Sequence, residues 1–460
     1  NIDKFFGFHF AVFGNTGSGK SNTIAKILQN IFEKQNYSAK GAKFVIIDSN
    51  GEYNKAFSKL NELNSNIKHS LMSTDEVGEK KFEIPVWALS ADDWATLLHA
   101  SEKTQIPVLK RAIDIARIFY NCEVDDVNIK NHILASTLLG IIQSSDTSPS
   151  KSDKLKAIVT KFKTNDISMS SIIKDDKTLG DLIGINYGSM IDEAGVISFL
   201  MTFLNAQEIS DNILKAMVPY SLSDFIKAVE FATLYEGSIS SQRIQEYTST
   251  LMTRLQSLQD GVQGRIFSKT EFNTVEEYIK SLLGENQIVD LDISSLDDSS
   301  AEVVTKVLAK LILDYLKGGE VKAETPINFI IEEAHRFIKN DTNYGVIGYN
   351  IFERIAKEGR KFGMLLGISS QRPSELSKTV VSQCSNFIIH RVQNPDDLQY
   401  LSKMVPYVNN NMIDRLTYIQ TGNALVFGSA INLPTLTQFD QANPATDSGN
   451  AKISEKWYIE

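Results

Sequence analysis

Apolar positions recur along this chain in two rhythms. Residues 8–13, FHFAVF, are a short, nearly unbroken apolar run, which predicts a buried strand. Ile24, Ile27, Leu28 and Ile31 then recur at three and four within residues 20–34, which predicts a helix. FVIID at 44–48 predicts a second strand, closed by the turn signal SNGEY. FEIPVWAL at 82–89 predicts another strand. From about 90 to 260 the three-and-four rhythm dominates, as in LKRAIDIARIFY (109–120) and SDFIKAVEFATLY (223–235), with polar linkers such as SSDTSPSKSDK (144–154) between helices. Strands return at 287–293 (QIVDLDI), 327–332 (INFIIE), 364–369 (MLLGIS) and 387–391 (FIIHR). Helices at 301–317 and near 348–361 intervene, and ALVFGSAINLPTLTQF from 424 predicts a hairpin.

Strands alternating with helices predict an α/β fold with a mainly parallel central sheet covered on both faces. The domain reading is 1–90 as the first part of the core, 91–285 as a mainly helical insertion, 286–440 as the second part of the core, and 441–460 as a C-terminal tail.

Composition narrows the classes. The 460 residues are 42% hydrophobic and 22% charged, ordinary for a globular protein and unlike collagen or a disordered chain. No apolar run approaches the roughly 20 residues of a spanning helix. Cys122 and Cys384 are the only cysteines, which suits a reducing, cytoplasmic setting rather than a disulfide scaffold, and the six histidines lack metal-ligand spacing. The 47 Lys and Arg against 56 Asp and Glu give a formal charge of −9, which argues against a nucleic-acid coat but leaves room for a local basic channel.

The sharpest motif is GNTGSGKS, Gly14 to Ser21, matching G-x-x-x-x-G-K-[ST] in full between a strand and a helix. Small residues let successive amides turn toward a phosphate, and the helix N-terminus adds positive potential. Lys20 is placed for the β- and γ-phosphates and the Ser21 hydroxyl for Mg2+. Asn15, Thr16, Gly17, Ser18, Gly19, Lys20, Ser21 and Asn22 are the candidate contacts to ATP. The chain is thus read as a P-loop NTPase. INFIIEEAHRF (327–337) is an apolar strand ending in two carboxylates at the edge where α/β folds bind ligands. Glu332 is the candidate metal-side acid, together with Ser21, and Glu333 the candidate general base.

Four blocks in order, HFAVFGNTGSGKS (9–21), IIDSNGEY (46–53), FIIEEAHRF (329–337) and EGRKFGMLLGISSQRPSEL (358–376), resemble the HerA family within the HerA/FtsK group of P-loop motor ATPases. Residues 84–113 and 385–398 resemble it as well. The resemblance implies a RecA/FtsK-like core, ATP and Mg2+ as ligands, and a homo-hexameric ring that moves along double-stranded DNA. It implies that Asp48 supports metal or water, with Glu52 the weaker candidate for that task. It implies that Gln371 senses the γ-phosphate or the attacking water. It also implies that Arg360 completes a nucleotide site at a subunit boundary, with Arg391 a second candidate for that role.

Three features depart from the family pattern. A small N-terminal β-barrel expected ahead of the first core strand is absent from this sequence. Ser49-Asn50 stands where relatives commonly have Pro-His, and Glu332 stands where Asp is common. Family members work with a NurA-like nuclease in DNA end resection. Others act in anti-phage defence, where the ring is a scaffold that activates an effector, either a nuclease or a sirtuin-type NAD-consuming enzyme. Both settings stay open from the sequence. Lys151, Lys154, Lys156, Lys161 and Lys163 form a basic helical stretch that either tracks DNA phosphates or is a solvated face, the latter preferred.

Overall fold

In the computed structural model the described residues are all except 35–37, 64, 75–79, 101–104, 121–123, 205–218, 241, 268–270, 340–349, 405–409, 449–456 and 458–460. Cys122 lies outside them. The chain forms two compact units. One joins Asn1–Phe82 to Val275–Glu460, and the other is Glu83–Thr274.

The first unit is built on a nine-stranded sheet. Its strands are β1 (Phe10–Phe13), β2 (Lys43–Asp48) and β3 (His69–Ser73), then β8 (Ile288–Asp292), β9 (Ile327–Ile331), β10 (Met364–Ser370), β11 (Asn386–Ile389), β12 (Asn423–Gly428) and β13 (Ile431–Gln438). The second unit contributes the short pairs β4 (Ile172–Lys174) with β5 (Lys177–Thr178), and β6 (Ile185–Asn186) with β7 (Ser189–Met190). The large sheet runs β13-β12-β11-β1-β10-β9-β2-β8-β3. All neighbours from β11 to β3 pair in parallel, and β12 and β13 add an antiparallel edge.

Parallel strands covered on both faces lose the in-out alternation of a half-exposed sheet. Accordingly β1 is buried at all four positions, β9 at all five and β10 at all seven. Helix α1 (Ile2–Phe6) and helix α2 (Lys20–Phe32) pack aromatic and aliphatic side chains on the sheet, where Phe32 meets Phe44 edge-on with ring centres 6.0 Å apart. The predicted strands at 8–13, 44–48, 287–293, 327–332, 364–369 and 387–391 each overlap an observed strand, and the hairpin from 424 is β12–β13.

The structure corrects two local expectations. FEIPVWAL is not a strand, because Val86–Ala88 is a 3-10 turn that follows Pro85 at φ −60°. Proline fixes φ and brings no ladder donor, so an apolar run containing it need not extend. The polar stretch 144–154 is half helix. Ser148–Phe162 is helical with proline in its first turn, where the missing N–H costs nothing. The strand β3 joins the sheet edge without having been anticipated. The helix Val275–Leu283, inside the range read as insertion, packs on the helix Asp298–Gly318 in the sheet unit.

The second unit is mainly helical, with Gln105–Tyr120, Val124–Ile142, Ser148–Phe162, Leu222–Ser240 and Gln242–Asp260 as its long elements. Trp94 stacks on Phe225 with ring centres 4.1 Å apart in its core. Lys154 pairs with Asp146 at 2.7 Å, Lys161 with Glu230 at 2.5 Å, and Lys151 Nζ donates to the Ile142 carbonyl at 2.6 Å. Three of the five clustered lysines are therefore engaged by their own unit. Among the described residues no helix is long and apolar enough to cross a membrane.

Candidate active site

Parallel pairing carries the C-terminal ends of β1, β2, β9, β10 and β11 to one edge of the sheet. The motifs sit there because each directly follows one of these strands. Register brings them close. Phe13 lies opposite Ser370, and the Gly14 N–H donates to the Ser370 carbonyl at 3.2 Å. The Glu332 N–H donates to the Ile47 carbonyl at 3.1 Å. Together they open a cleft of about 980 Å³, in the size range of small-molecule sites.

The loop Gly14–Gly19 turns tightly. A Cβ on Gly14 would lie 2.5 Å from Ser18 Oγ and 2.6 Å from His390 Cβ, so only glycine fits. Gly19, at φ +111°, is the N-cap of α2 and offers no side chain to the first-turn amides. Those donors stay available to an anion. Lys20 Nζ donates to the carbonyls of Gly14 at 2.9 Å and Asn15 at 3.3 Å, curling back over the loop. Burial pushes its pKa down, against the pull of the nearby Glu333 and Glu332.

On the facing side, Glu332 is 2% exposed. Its Oε1 accepts from Ser21 Oγ at 2.9 Å and from Tyr53 Oη at 3.2 Å. Its Oε2, like Glu52 Oε2, is buried without a hydrogen-bond partner. Burial first, then the charges of Asp48 and Glu52, raise the Glu332 pKa well above the usual carboxylate range. Two orphaned carboxylate oxygens beside a hydroxyl form a hard-oxygen donor set that suits Mg2+. Among the described residues no three His, Cys, Asp or Glu could cage a metal by themselves. That accords with Mg2+ sites completed by one or two carboxylates and substrate phosphates.

Glu333 adopts φ +46° and ψ +45°, a left-handed conformation that costs a non-glycine residue about 1–3 kcal/mol. The turn aims its side chain across the cleft. Gln371 Nε2 donates to Glu333 Oε1 at 3.2 Å, and Thr16 Oγ1 donates to Gln371 Oε1 at 2.6 Å. His335 Nδ1 lies 3.3 Å from Glu333 Oε2 and 3.3 Å from Ser370 Oγ.

Of the residues singled out in the sequence, Thr16, Gly17, Gly19, Lys20, Ser21, Asn22, Glu332, Glu333 and Gln371 line the cleft. Asn15 and Ser18 support it from behind. Asn15 N–H donates to the Arg391 carbonyl at 2.8 Å, and Ser18 is 1% exposed. Asp48 does not line it. Its carboxylate accepts from the backbone amides of Asn50 (3.1 Å), Gly51 (2.9 Å) and Tyr53 (2.9 Å), so it shapes the turn. Burial and the neighbouring Asp290 raise its pKa to about 8. The acid of that turn that does line the cleft is Glu52. Arg360 precedes β10 and therefore lies at the opposite sheet edge, its guanidinium 3.9 Å above the ring of Phe8. Arg391 follows β11 on the cleft edge, with Nε buried and unpartnered.

Sequence reasoning missed His335, His390 and the stretch 439–448. His390 Nε2 is 3.0 Å from Thr23 Oγ1 and its Nδ1 is 3.0 Å from the Asn423 carbonyl, so it buttresses the phosphate loop. The letters EEAHR were the only available signal for His335.

A glycine-rich loop between β1 and α2 faces an acidic strand end on a parallel sheet, and these features define a P-loop NTPase of α/β architecture. The family model described as "Helicase HerA, central domain" matches residues 1–312, and the chain belongs to that family. It is similar to a probable helicase of Methanocaldococcus jannaschii, 28% identical over 94% of this chain and 65% of that protein. It is also similar to the DNA double-strand break repair helicase HerA of Pyrococcus furiosus, 24% identical over 95% of this chain and 66% of that protein. The chain thus spans about two thirds of the length of these relatives. Its fold is shared with VirB4 of Thermoanaerobacter pseudethanolicus, with a TM-score of 0.53 and 12% identity over 94% of this chain and 89% of that one.

Proposed function

We propose that this chain binds ATP with Mg2+ in the cleft at the C-terminal sheet edge, hydrolyses it, and uses the energy within a homo-hexameric ring to move double-stranded DNA. The observation that carries the hydrolytic part is the bonded series Thr16–Gln371–Glu333, which links the phosphate loop to a carboxylate held across the cleft.

The residues divide the work. The first-turn amides of α2 and Lys20 hold the β- and γ-phosphates. Ser21 and Glu332, with Glu52 alongside, hold Mg2+, which when bound neutralises charge developing on the phosphate oxygens. Glu333 takes the proton of the attacking water on a carboxylate oxygen, and the Gln371 amide orients that water because it can donate and accept at once. Arg391 sits on the cleft edge of its own chain. Arg360 sits at the far edge and serves the cleft of a neighbouring subunit, where its guanidinium spreads over the transferring phosphoryl charge. The HerA name of the relatives supports the DNA role. A nuclease partner of the NurA kind, or a defence effector, follows from the same resemblance.

The test is ATPase activity with and without duplex DNA across a salt series. A DNA translocase shows several-fold stimulation that falls as salt rises. Turnover that ignores DNA at every salt concentration rejects the motor reading and leaves the scaffold that activates an effector. Mixing Lys20→Ala with Arg360→Ala subunits tests the trans assignment, since mixed rings recover activity only if the arginine acts across the boundary.

A further inference from the structure

One wall of the cleft comes from a segment that no motif announces. After β13 the chain runs back along α2, held by two side-chain amides. Asn22 Nδ2 donates to the Asp440 carbonyl at 3.0 Å, and its Oδ1 accepts from the Ala442 N–H at 2.8 Å. Two turns further along α2, Gln29 is 0% exposed. Its Nε2 donates to the carbonyls of Pro444 at 3.0 Å and Ala56 at 2.8 Å, while its Oε1 accepts from the Asn443 N–H at 2.9 Å. Each amide therefore satisfies a donor and an acceptor of the segment's backbone, as a strand partner would. Ala442 is buried in the core cluster that includes Ile24 and Leu28.

The segment is tied at both ends to the motifs. The Phe439 N–H donates to the Gly422 carbonyl at 2.9 Å, and the Gly422 N–H donates to the Ser18 carbonyl of the phosphate loop at 3.1 Å. The Asp447 N–H donates to the Glu52 carbonyl at 2.9 Å, and Lys55 pairs with the Asp447 carboxylate at 3.2 Å. Residues 439–448 are thus a fixed strap between the phosphate loop and the Glu52 turn.

Its cleft-lining side chains are Phe439, Gln441, Ala445, Thr446 and Ser448, none of them charged. The charged lining residues, Lys20, Glu52, Glu332, Glu333 and Arg336, all come from the motif strands and loops. The ligand in the proposed function has the same division, a polyanion at one end and a neutral ring with hydroxyls at the other. We infer that the strap is the nucleoside wall of the cleft. Phe439 offers an aromatic face to the base, and Gln441 and Thr446 supply hydrogen bonds to base and ribose. Asn22 and Gln29 act as positioning residues that hold the wall on α2. This inference rests on the nucleotide reading of the cleft.

The experiment compares two probes by calorimetry on the full chain, Mg-ATP and Mg-inorganic triphosphate. The second carries the phosphates and no nucleoside. The double variant Gln441→Ala/Thr446→Ala is expected to bind ATP about 25-fold more weakly, at about fivefold for each of two lost hydrogen bonds, with triphosphate affinity unchanged. Gln29→Leu, which frees the strap, is expected to give the same selective loss. The double variant changes the exposed Gln441 and the half-buried Thr446, whose hydroxyl lies 2.6 Å from Ser448 Oγ, and leaves the bonds of Asn22 and Gln29 to the strap in place, so it keeps the test valid if Gln29→Leu fails to fold. Unchanged ATP affinity in the double variant, or equal loss for both probes, overturns the nucleoside wall and leaves the phosphate site standing. If the unaltered chain binds neither probe, the nucleotide reading itself falls and the wall with it.

Discussion

Gln371 and Glu333 are joined by a hydrogen bond of 3.2 Å, from the amide nitrogen of one to Oε1 of the other. The amide oxygen of Gln371 accepts from Thr16 Oγ1 at 2.6 Å, so a phosphate-loop hydroxyl and a carboxylate are coupled through one side chain. Gln371→Ala should lower turnover by about 10²-fold, by analogy with the worth of a positioned proton-transfer group, while ATP affinity changes little. Steady-state rates beside equilibrium binding check this. A variant that loses affinity and keeps its rate contradicts the role given to Gln371.

Lys20 is the one lysine lining the cleft among the described residues. Lys20→Ala removes a charge-assisted contact worth about 1.5–3 kcal/mol, so ATP affinity should fall by about 10- to 150-fold. Calorimetric titration with Mg-ATP reads this directly, and affinity within twofold of the unaltered chain refutes the assignment.

Asp48 holds its turn by accepting three backbone amides. Asp48→Asn turns one acceptor oxygen into a donor facing an N–H. It should destabilise the fold by about 1–3 kcal/mol, the cost of a buried unsatisfied group. Urea denaturation measures the loss. A variant of full stability but greatly reduced turnover would instead place Asp48 in the chemistry.

His9 bridges α/β elements in the core. Its Nδ1 accepts from the Leu366 N–H at 2.8 Å, which makes Nε2 the donor to the Ala356 carbonyl at 3.1 Å. Burial lowers its pKa to about 4, and burial does the same to His390. A histidine whose folded pKa lies below its unfolded value takes up protons first in the unfolded chain. Its contribution is therefore fully present above about pH 6.5 and is lost as pH falls toward 4. Asp48 and Asp290, both raised to about 8, act in the opposite sense over about pH 4–8. The clean readout is thus a difference. The stability gap between the unaltered chain and His9→Asn should narrow as pH falls from 7 to 4.5. A gap that stays constant over that range contradicts the buried neutral histidine.

Much of the site was legible because its chemistry follows strand ends. Glu332, Glu333 and Gln371 lie at or just past the end of an apolar strand, Lys20 and Ser21 follow one through the short loop Gly14–Gly19, and parallel pairing forces such positions to one edge. Asp48 shows the limit. A carboxylate at a strand end can face a ligand or satisfy the amides of its own turn, and the letters DSNGEY permit both. Glu52, four residues from the apparent signal, took the cleft position. The strap was illegible for another reason. Asn22 and Gln29 bond to main-chain atoms more than 400 residues away, so the strap's own side chains carry no trace of the contact. FEIPVWAL misled because an apolar run with proline says that it is buried without saying in which backbone form.

The central claim is that Glu333 activates water against a nucleotide seated on the phosphate loop. Rapid quench of Glu333→Gln mixed with radiolabelled Mg-ATP tests it most directly. The account predicts ATP bound with affinity near that of the unaltered chain and recovered intact, with turnover down by about 10²–10⁴-fold. Hydrolysis at the unaltered rate in that variant would contradict it.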